Sequence, residues 1–204
     1  YNDDVPAVMD LWNAYKDSAF PQNGIKVVNA KAVVSTTADF SAAVTSLLEG
    51  NPDSIGILAR GGAVTVINQL RQAGYKGVIY GQAGLAGGVA LKAAPATNGV
   101  LFTANAAPGS PYPSMENFFK GFKAKTGKDA DNWAALGYSY VQVMATAIKA
   151  ASPNPTREKI KDAMHKTKDV PVVVGDGKYS YINRIPTYGS TFLQVKGGQF
   201  VAAD

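Results

Sequence analysis

The sequence predicts an α/β fold in which a parallel sheet is flanked by helices, and three observations carry that prediction. From Tyr1 to Thr103 short apolar runs alternate with apolar stripes at helical spacing, the pattern of strands joined by crossover helices. From Pro111 to Lys168 the strand pattern stops and three helical stretches follow one another. After Pro171 the chain turns to short β segments. With 204 residues, 46% of them hydrophobic and 17% charged, the chain can bury a sizeable core, which excludes a disordered or low-complexity architecture and allows one large domain or two lobes.

Each element has a local reason. Val8, Leu11, Trp12 and Tyr15 form a helical stripe within Val5 to Phe20, closed by Pro21 and Gly24. Ile25 to Val34 reads as a strand. Thr36, Thr37 and Asp39 then offer caps for a helix over Phe40 to Leu48, which ends at Gly50-Asn51-Pro52. Ser54 to Ala59 is an apolar run of the kind buried on both faces, and Arg60-Gly61-Gly62 leads into a helix over Val64 to Ala73. Val78 to Gly81 is the next strand, Leu85 to Lys92 a short helix, and Gly99 to Thr103 a further strand. Helices follow at Ser114 to Lys125, Trp133 to Ala150 and Thr156 to Lys166, each with an apolar stripe that needs a partner surface. The tail reads as strands at Val172 to Val174, Tyr179 to Ile182, Thr191 to Val195 and Gln199 to Val201, the last two joined by Lys196-Gly197-Gly198.

Composition narrows the chemistry. The absence of cysteine removes disulfides, thiolate metal sites and cysteine nucleophiles. A single histidine, His165, and three glutamates leave few general acid or base groups, so neither a metal site nor a catalytic residue is expected. The net charge of +5 is spread along the chain rather than clustered with aromatic residues, which argues against nucleic acid as a partner. No apolar run reaches the ~18 residues of a membrane span.

The most informative stretch is Arg60-Gly61-Gly62-Ala63. Two glycines between a buried strand and a helix leave backbone N–H groups uncovered at the positive end of the helix dipole, a place for an anion. The alternative is a plain tight turn with Arg60 in water. Gln82-Ala83-Gly84 follows the next strand at the equivalent edge, where ligands of open α/β sheets collect. Asp3 and Asp4 could hold a cationic group or act as helix caps. Trp133, Tyr138 and Tyr140 read as packing, and His165 as a partner of a helix dipole.

Read in order, these pieces resemble the leucine/isoleucine/valine-binding family of type I periplasmic binding proteins, the solute receptors of ABC importers. Tyr1-Asn2-Asp3-Asp4 is similar to that family's motif opening the second lobe, Asp39-Phe40 with Leu47-Leu48 to the helix after it, and Leu70 to Gly74 to a helix end. Asn98-Gly99-Val100 resembles its crossover strand, Phe118-Phe119 with Phe122 to Gly127 and Gly137-Tyr138 its later helices, and Leu193 to Phe200 its close. Glu158-Lys159-Ile160 and Gly175-Asp176-Gly177 fit between them.

The resemblance implies a non-enzymatic, periplasmic receptor without cofactor, whose partners are a small-molecule ligand and an ABC permease. Residues 1–98 are expected to form the α/β second lobe, 99–170 a crossover strand and the helices of an incomplete first lobe, and 171–204 a β tail that returns to the second lobe. The opening reads as the end of a strand, so the chain is expected to be a fragment, its late helices facing water unless a lost N-terminal half or a second copy covers them. Ligand contacts are expected at Asp4, Val5, Arg60, Gly61, Gly62, Ala63, Gln82 and Ala83. The amino-acid-binding members carry an acidic residue where Ala83 stands beside Gln82, and an aromatic residue followed by glycine where Val5-Pro6 or Pro6-Ala7 stands. With that amine clamp gone, a small organic acid, aromatic acids included, is expected; a branched-chain or other amino acid is the alternative. An α/β hydrolase-type enzyme would need a nucleophile on the strand-to-helix turn, and Arg60-Gly61-Gly62 offers none.

Overall fold

The computed structural model describes residues 1–203, and the chain divides into two compact units. The first comprises Tyr1–Phe102 with Gln194–Gln199. It opens with helix α1, Pro6–Ala14, whose proline at the first turn has no N–H to leave unpaired, and which runs on through a π turn, Tyr15–Ala19, into α2, Phe20–Gln22. Val8 is buried, and Tyr1 stacks on Trp12 with ring centroids 4.9 Å apart. Helix α3, Ser41–Leu48, strand β1, Ser54–Ile57, helix α4, Ala63–Gln72, and strand β2, Val78–Gly81, follow. A 3-10 turn at Ala83–Leu85 and helix α5, Gly88–Lys92, stand where one short helix was expected, and strand β3, Leu101–Ala104, closes the series.

The expected parallel sheet is present. Ser54 to Ile57 pair in parallel with Val78 to Gly81, and Tyr80 and Gly81 with Leu101 and Phe102. The chain returns beside β3, where the Gly99 N–H donates to the Val195 carbonyl at 2.8 Å and the Val195 N–H to the Val100 carbonyl at 3.0 Å. The strand order is β1-β2-β3-β7-β8, with β7 at Thr191–Lys196 and β8 at Gln199–Ala202. Gly197 and Gly198 both have positive φ, as the two-residue hairpin between β7 and β8 requires. Ile55, Ile67, Leu70, Ile79, Val100 and Val195 form the buried centre of this unit.

Two expectations are corrected. Ile25 to Val34 forms no strand; its only ladder contact is an isolated parallel bridge between Asn2 and Val33. A strand is held by a neighbour, and here the neighbour on that side extends only over residues 1–3. The tail is also divided: β7 and β8 join the main sheet, whereas β4, Val170–Pro171, β5, Lys178–Ile182, and β6, Ile185–Thr187, form an antiparallel sheet of their own. The expected strand at Val172 to Val174 is therefore displaced to Val170–Pro171, and Val172 and Val174 serve as core instead.

The second unit comprises Thr103–Leu193 and the residues from Phe200 on. Helix α6, Pro113–Thr126, stops at Gly127, where φ is +70°. Helix α7, Asn132–Ala150, starts with the Asp131 carboxylate accepting from the Ala134 N–H at 2.9 Å, and α8, Arg157–His165, with the Thr156 hydroxyl accepting from the Lys159 N–H at 3.2 Å. Met115, Ala135, Leu136, Val143 and Tyr179 are buried together as the core of this unit. Tyr138 and Tyr140 keep partial contacts, with Phe118 and Tyr179, but Trp133 is 65% exposed rather than packed.

Candidate functional site

The chemistry-bearing residues of the first unit converge on the carboxyl ends of β1 and β2. After β1 the chain rises through Leu58 and Ala59 to Arg60, and Gly62 adopts a left-handed conformation, φ +72°, that starts α4 without any side-chain cap. The Val66 N–H reaches the Gly62 carbonyl at 2.9 Å, so the N–H groups of Ala63, Val64 and Thr65 precede the first helical bond and face outward with the positive end of the dipole. A Cβ on Gly62 would lie 2.5 Å from the Phe40 ring, so the turn sits directly on the residue that starts α3.

The turn is held from below by Asn2. This side chain is fully buried; its Oδ1 accepts from the Arg60 N–H at 2.7 Å, and its Nδ2 donates to the Val33 carbonyl at 3.3 Å. The Asn2 N–H donates in turn to the Leu58 carbonyl at 3.1 Å. One residue thus ties the opening segment, the 33–35 loop and the Arg60 turn into a single frame. From the sequence the acidic neighbours Asp3 and Asp4 draw the attention, because the burial of Asn2 leaves no mark in residue type or spacing.

Arg60, Gly61, Gly62, Ala63 and Gln82 line one hollow of about 240 Å³. Val64, Thr65, Gly84, Leu85 and Val89 complete much of its wall, and no aspartate or glutamate is among the lining residues. The Gln82 side-chain nitrogen is buried with no hydrogen-bond partner among the described residues, so it is a donor left over for something else. Ala83 begins the adjoining 3-10 turn without lining the hollow.

Asp4 and Val5 stand apart from it. The Asp4 carboxylate accepts from both the N–H and the hydroxyl of Ser35, each at 2.7 Å, and the Ser35 hydroxyl above all holds its pKa below the ordinary aspartate value. Val5 is the residue ahead of α1, which has no side-chain cap, so neither acid serves the capping role considered for it. A carboxylate with a lowered pKa binds its partners above its unfolded value and loses them as pH falls through the lower, folded one. The Ser35 amide resonance is therefore expected to titrate with a midpoint below the usual aspartate value, and Ser35→Ala to bring the Asp4 midpoint up toward it. An unchanged Asp4 midpoint in Ser35→Ala would remove the clasp from the description.

His165 is the last residue of α8, in the place where a histidine complements the helix dipole. Among the described residues no three histidine, aspartate or glutamate side chains come together as metal ligands, and no helix is long and apolar enough to cross a membrane.

No curated protein matches the chain. Among solved structures, a protein of Rhodospirillum rubrum described as belonging to a branched-chain amino acid ABC transporter is 26% identical with a TM-score of 0.77, over 91% of this chain and 54% of its own. A leucine binding protein of Thermotoga maritima is 25% identical with a TM-score of 0.83, over 96% and 56%. An ABC transporter solute binding protein of R. palustris, solved in complex with benzoate, shares the fold with a TM-score of 0.85 at 20% identity, over 98% and 56%. The chain thus spans little more than half the length of these structures. A family model described as periplasmic binding protein matches residues 1–199, and the chain belongs to the periplasmic binding protein family.

Proposed function

We propose that this chain is part of an extracytoplasmic solute receptor that captures a small organic acid without a free amine and hands it to an ABC permease. One observation carries the reading: the hollow beside Arg60 and Gln82 offers donors and no carboxylate. An ammonium taken out of water needs a paired negative charge, and nothing lining this hollow supplies one, since the Asp4 carboxylate is engaged by Ser35. A carboxylate, by contrast, finds the first N–H groups of α4 and the Arg60 side chain within one wall, with Gln82 among the residues that line it. The apolar residues Leu85, Val89 and Ile57 in the same wall suit a hydrocarbon or aromatic body. In this reading the chain is a receptor and not an enzyme.

A branched-chain amino acid is the second reading, favoured by the two neighbours at 25% and 26% identity, which are described by leucine and by branched-chain amino acid transport. The fold accommodates either class, since the benzoate complex and the leucine binding protein share it, so the side chains must decide. Calorimetry on the full-length protein with benzoate, short aliphatic carboxylates, leucine and valine separates the two. The expected result is micromolar binding of a carboxylic acid and silence toward the amino acids, with Gln82→Glu weakening the acid by at least about tenfold, or 1.4 kcal/mol, through loss of a donor and addition of a like charge. Tight leucine or valine binding with no response to the acids would falsify the reading.

A further inference from the structure

Helix α8 and the β5–β6 hairpin flank a second hollow, of about 350 Å³, within the second unit. Arg157, Lys161 and His165 recur every fourth residue along α8, so they stand in one row with successive members about 6 Å apart along the axis. Ile160 and Met164 fall in the row beside them and, with Tyr181 of β5, make an apolar floor. The hairpin is tied to the helix end, where the Tyr181 N–H donates to the Thr167 carbonyl at 3.0 Å. Arg184 completes the rim from the two-residue turn closed by the pairing of Ile182 with Ile185. Its φ is +68°, a conformation that favours glycine, so the turn carries a cation where glycine would fold more easily. No aspartate or glutamate lines the hollow. Among the described residues neither Arg157 nor Arg184 is in an ion pair, and Lys161 has only a 3.5 Å contact to Asp162 between side chains more than half exposed, a pairing that holds little.

We propose that this hollow is the docking site of an acidic amphipathic helix of another protein, which lays an apolar row on Ile160, Met164 and Tyr181 and sets carboxylates against Arg157, Lys161 and Arg184. Three features select this occupant. The cations on α8 repeat at the pitch of a helix, so carboxylates four residues apart on a partner meet successive members. A single small organic acid would engage one or two of the three permanent charges and leave the rest unmatched around an apolar floor. A bilayer surface is flat, whereas the apolar side chains here are recessed: Ile160, Met164 and Tyr181 are half-buried while Arg157, Lys161 and Arg184 are exposed. The exposed charges steer and orient the encounter, and the recessed floor supplies the contact that persists.

The test measures binding of a blocked, alanine-based peptide of about 16 residues, with glutamate at every fourth position and leucine in the row beside it, against the same peptide carrying glutamine for glutamate. The glutamate peptide is expected to bind the protein at least about fivefold more tightly, and most of that advantage to vanish as salt rises from about 50 mM to about 500 mM. Arg157→Glu combined with Lys161→Glu is expected to weaken it about tenfold or more, whereas Lys159→Glu, on the opposite side of the same helix, leaves it unchanged. All three side chains are exposed, and thermal unfolding checks that the variants keep the fold. Absence of binding by either peptide, equal binding of both, or an equal loss from Lys159→Glu overturns the proposal. Binding of phosphatidylcholine vesicles with about one third phosphatidylglycerol in place of the peptide also overturns it, because the surface would then be a lipid contact. No small-molecule ligand is added, so failure leaves the organic-acid reading intact.

Discussion

At high concentration the chain is expected to self-associate through α7, and the double substitution Val141→Lys with Met144→Lys to return it to the monomer. Helix α7 is apolar on two sides. Ala135, Leu136, Val143 and Ala147 are buried in the second unit, while Trp133, Val141, Met144 and Ile148 lie on another face and are 65%, 68%, 41% and 40% exposed. At 3.6 residues per turn these last four fall within one stripe, and a helix with apolar stripes on two sides is one that is meant to be covered on both. Complete burial of such a side chain contributes roughly 1.5–3 kcal/mol, so covering the exposed part of four contributes about 4 kcal/mol gross. A symmetric pair covers two stripes and doubles that figure to about 8 kcal/mol, the equivalent of micromolar affinity before the entropy of association is subtracted. Association should therefore be weak and steeply concentration-dependent. Sedimentation checks it, together with binding of a hydrophobic dye that the double variant should abolish; a parent chain that stays monomeric and dye-silent at all concentrations contradicts it.

What could be read from the sequence divides along a physical line. Helices α4, α6, α7 and α8 were legible because each carries its own periodic stripe and its own boundary residue, Gly127 and Thr156 among them. β2 was legible end to end because Val78-Ile79-Tyr80 is a β-branched and aromatic run bounded by Gly77 and Gly81, with Ile79 fully buried. The 25–34 segment misled because its β-branched composition describes a strand, whereas a strand also needs a ladder, and here a single bridge from Asn2 to Val33 is formed. The β5–β6 hairpin was missed because its turn is Asn183-Arg184, both with positive φ, where the usual glycine signal is absent. At the candidate site, the glycines announced the turn and Gln82 its neighbour, but the frame beneath them was silent. Nothing in a sequence distinguishes Asn2, buried and bonded to Arg60 and Val33, from Asp4, which spends its charge on Ser35.

The two glycines of the turn look alike in sequence and are expected to respond very differently to substitution. Gly62 has φ +72°, and an added Cβ would stand 2.5 Å and 2.8 Å from two carbons of the Phe40 ring. Phe40 is only 4% exposed, so the ring has little room to withdraw. A left-handed conformation costs a non-glycine residue roughly 1–2 kcal/mol, and overpacking a filled site roughly 1–3 kcal/mol more. Gly62→Ala is therefore expected to destabilise the chain by about 2–5 kcal/mol and to displace the uncapped start of α4, so that ligand affinity falls with stability. Gly61 has no positive φ, and its added Cβ would meet nothing closer than the Ser35 carbonyl at 3.6 Å, an ordinary contact. Gly61→Ala should accordingly stay within about 0.5 kcal/mol of the parent. Combining Gly62→Ala with Phe40→Leu separates the two terms: removing the ring relieves the clash but leaves the backbone strain, so the pair should be less destabilised than the sum of its single variants. Urea unfolding of the four chains measures this directly. Strict additivity, or equal effects at Gly61 and Gly62, would mean that the turn does not rest on Phe40.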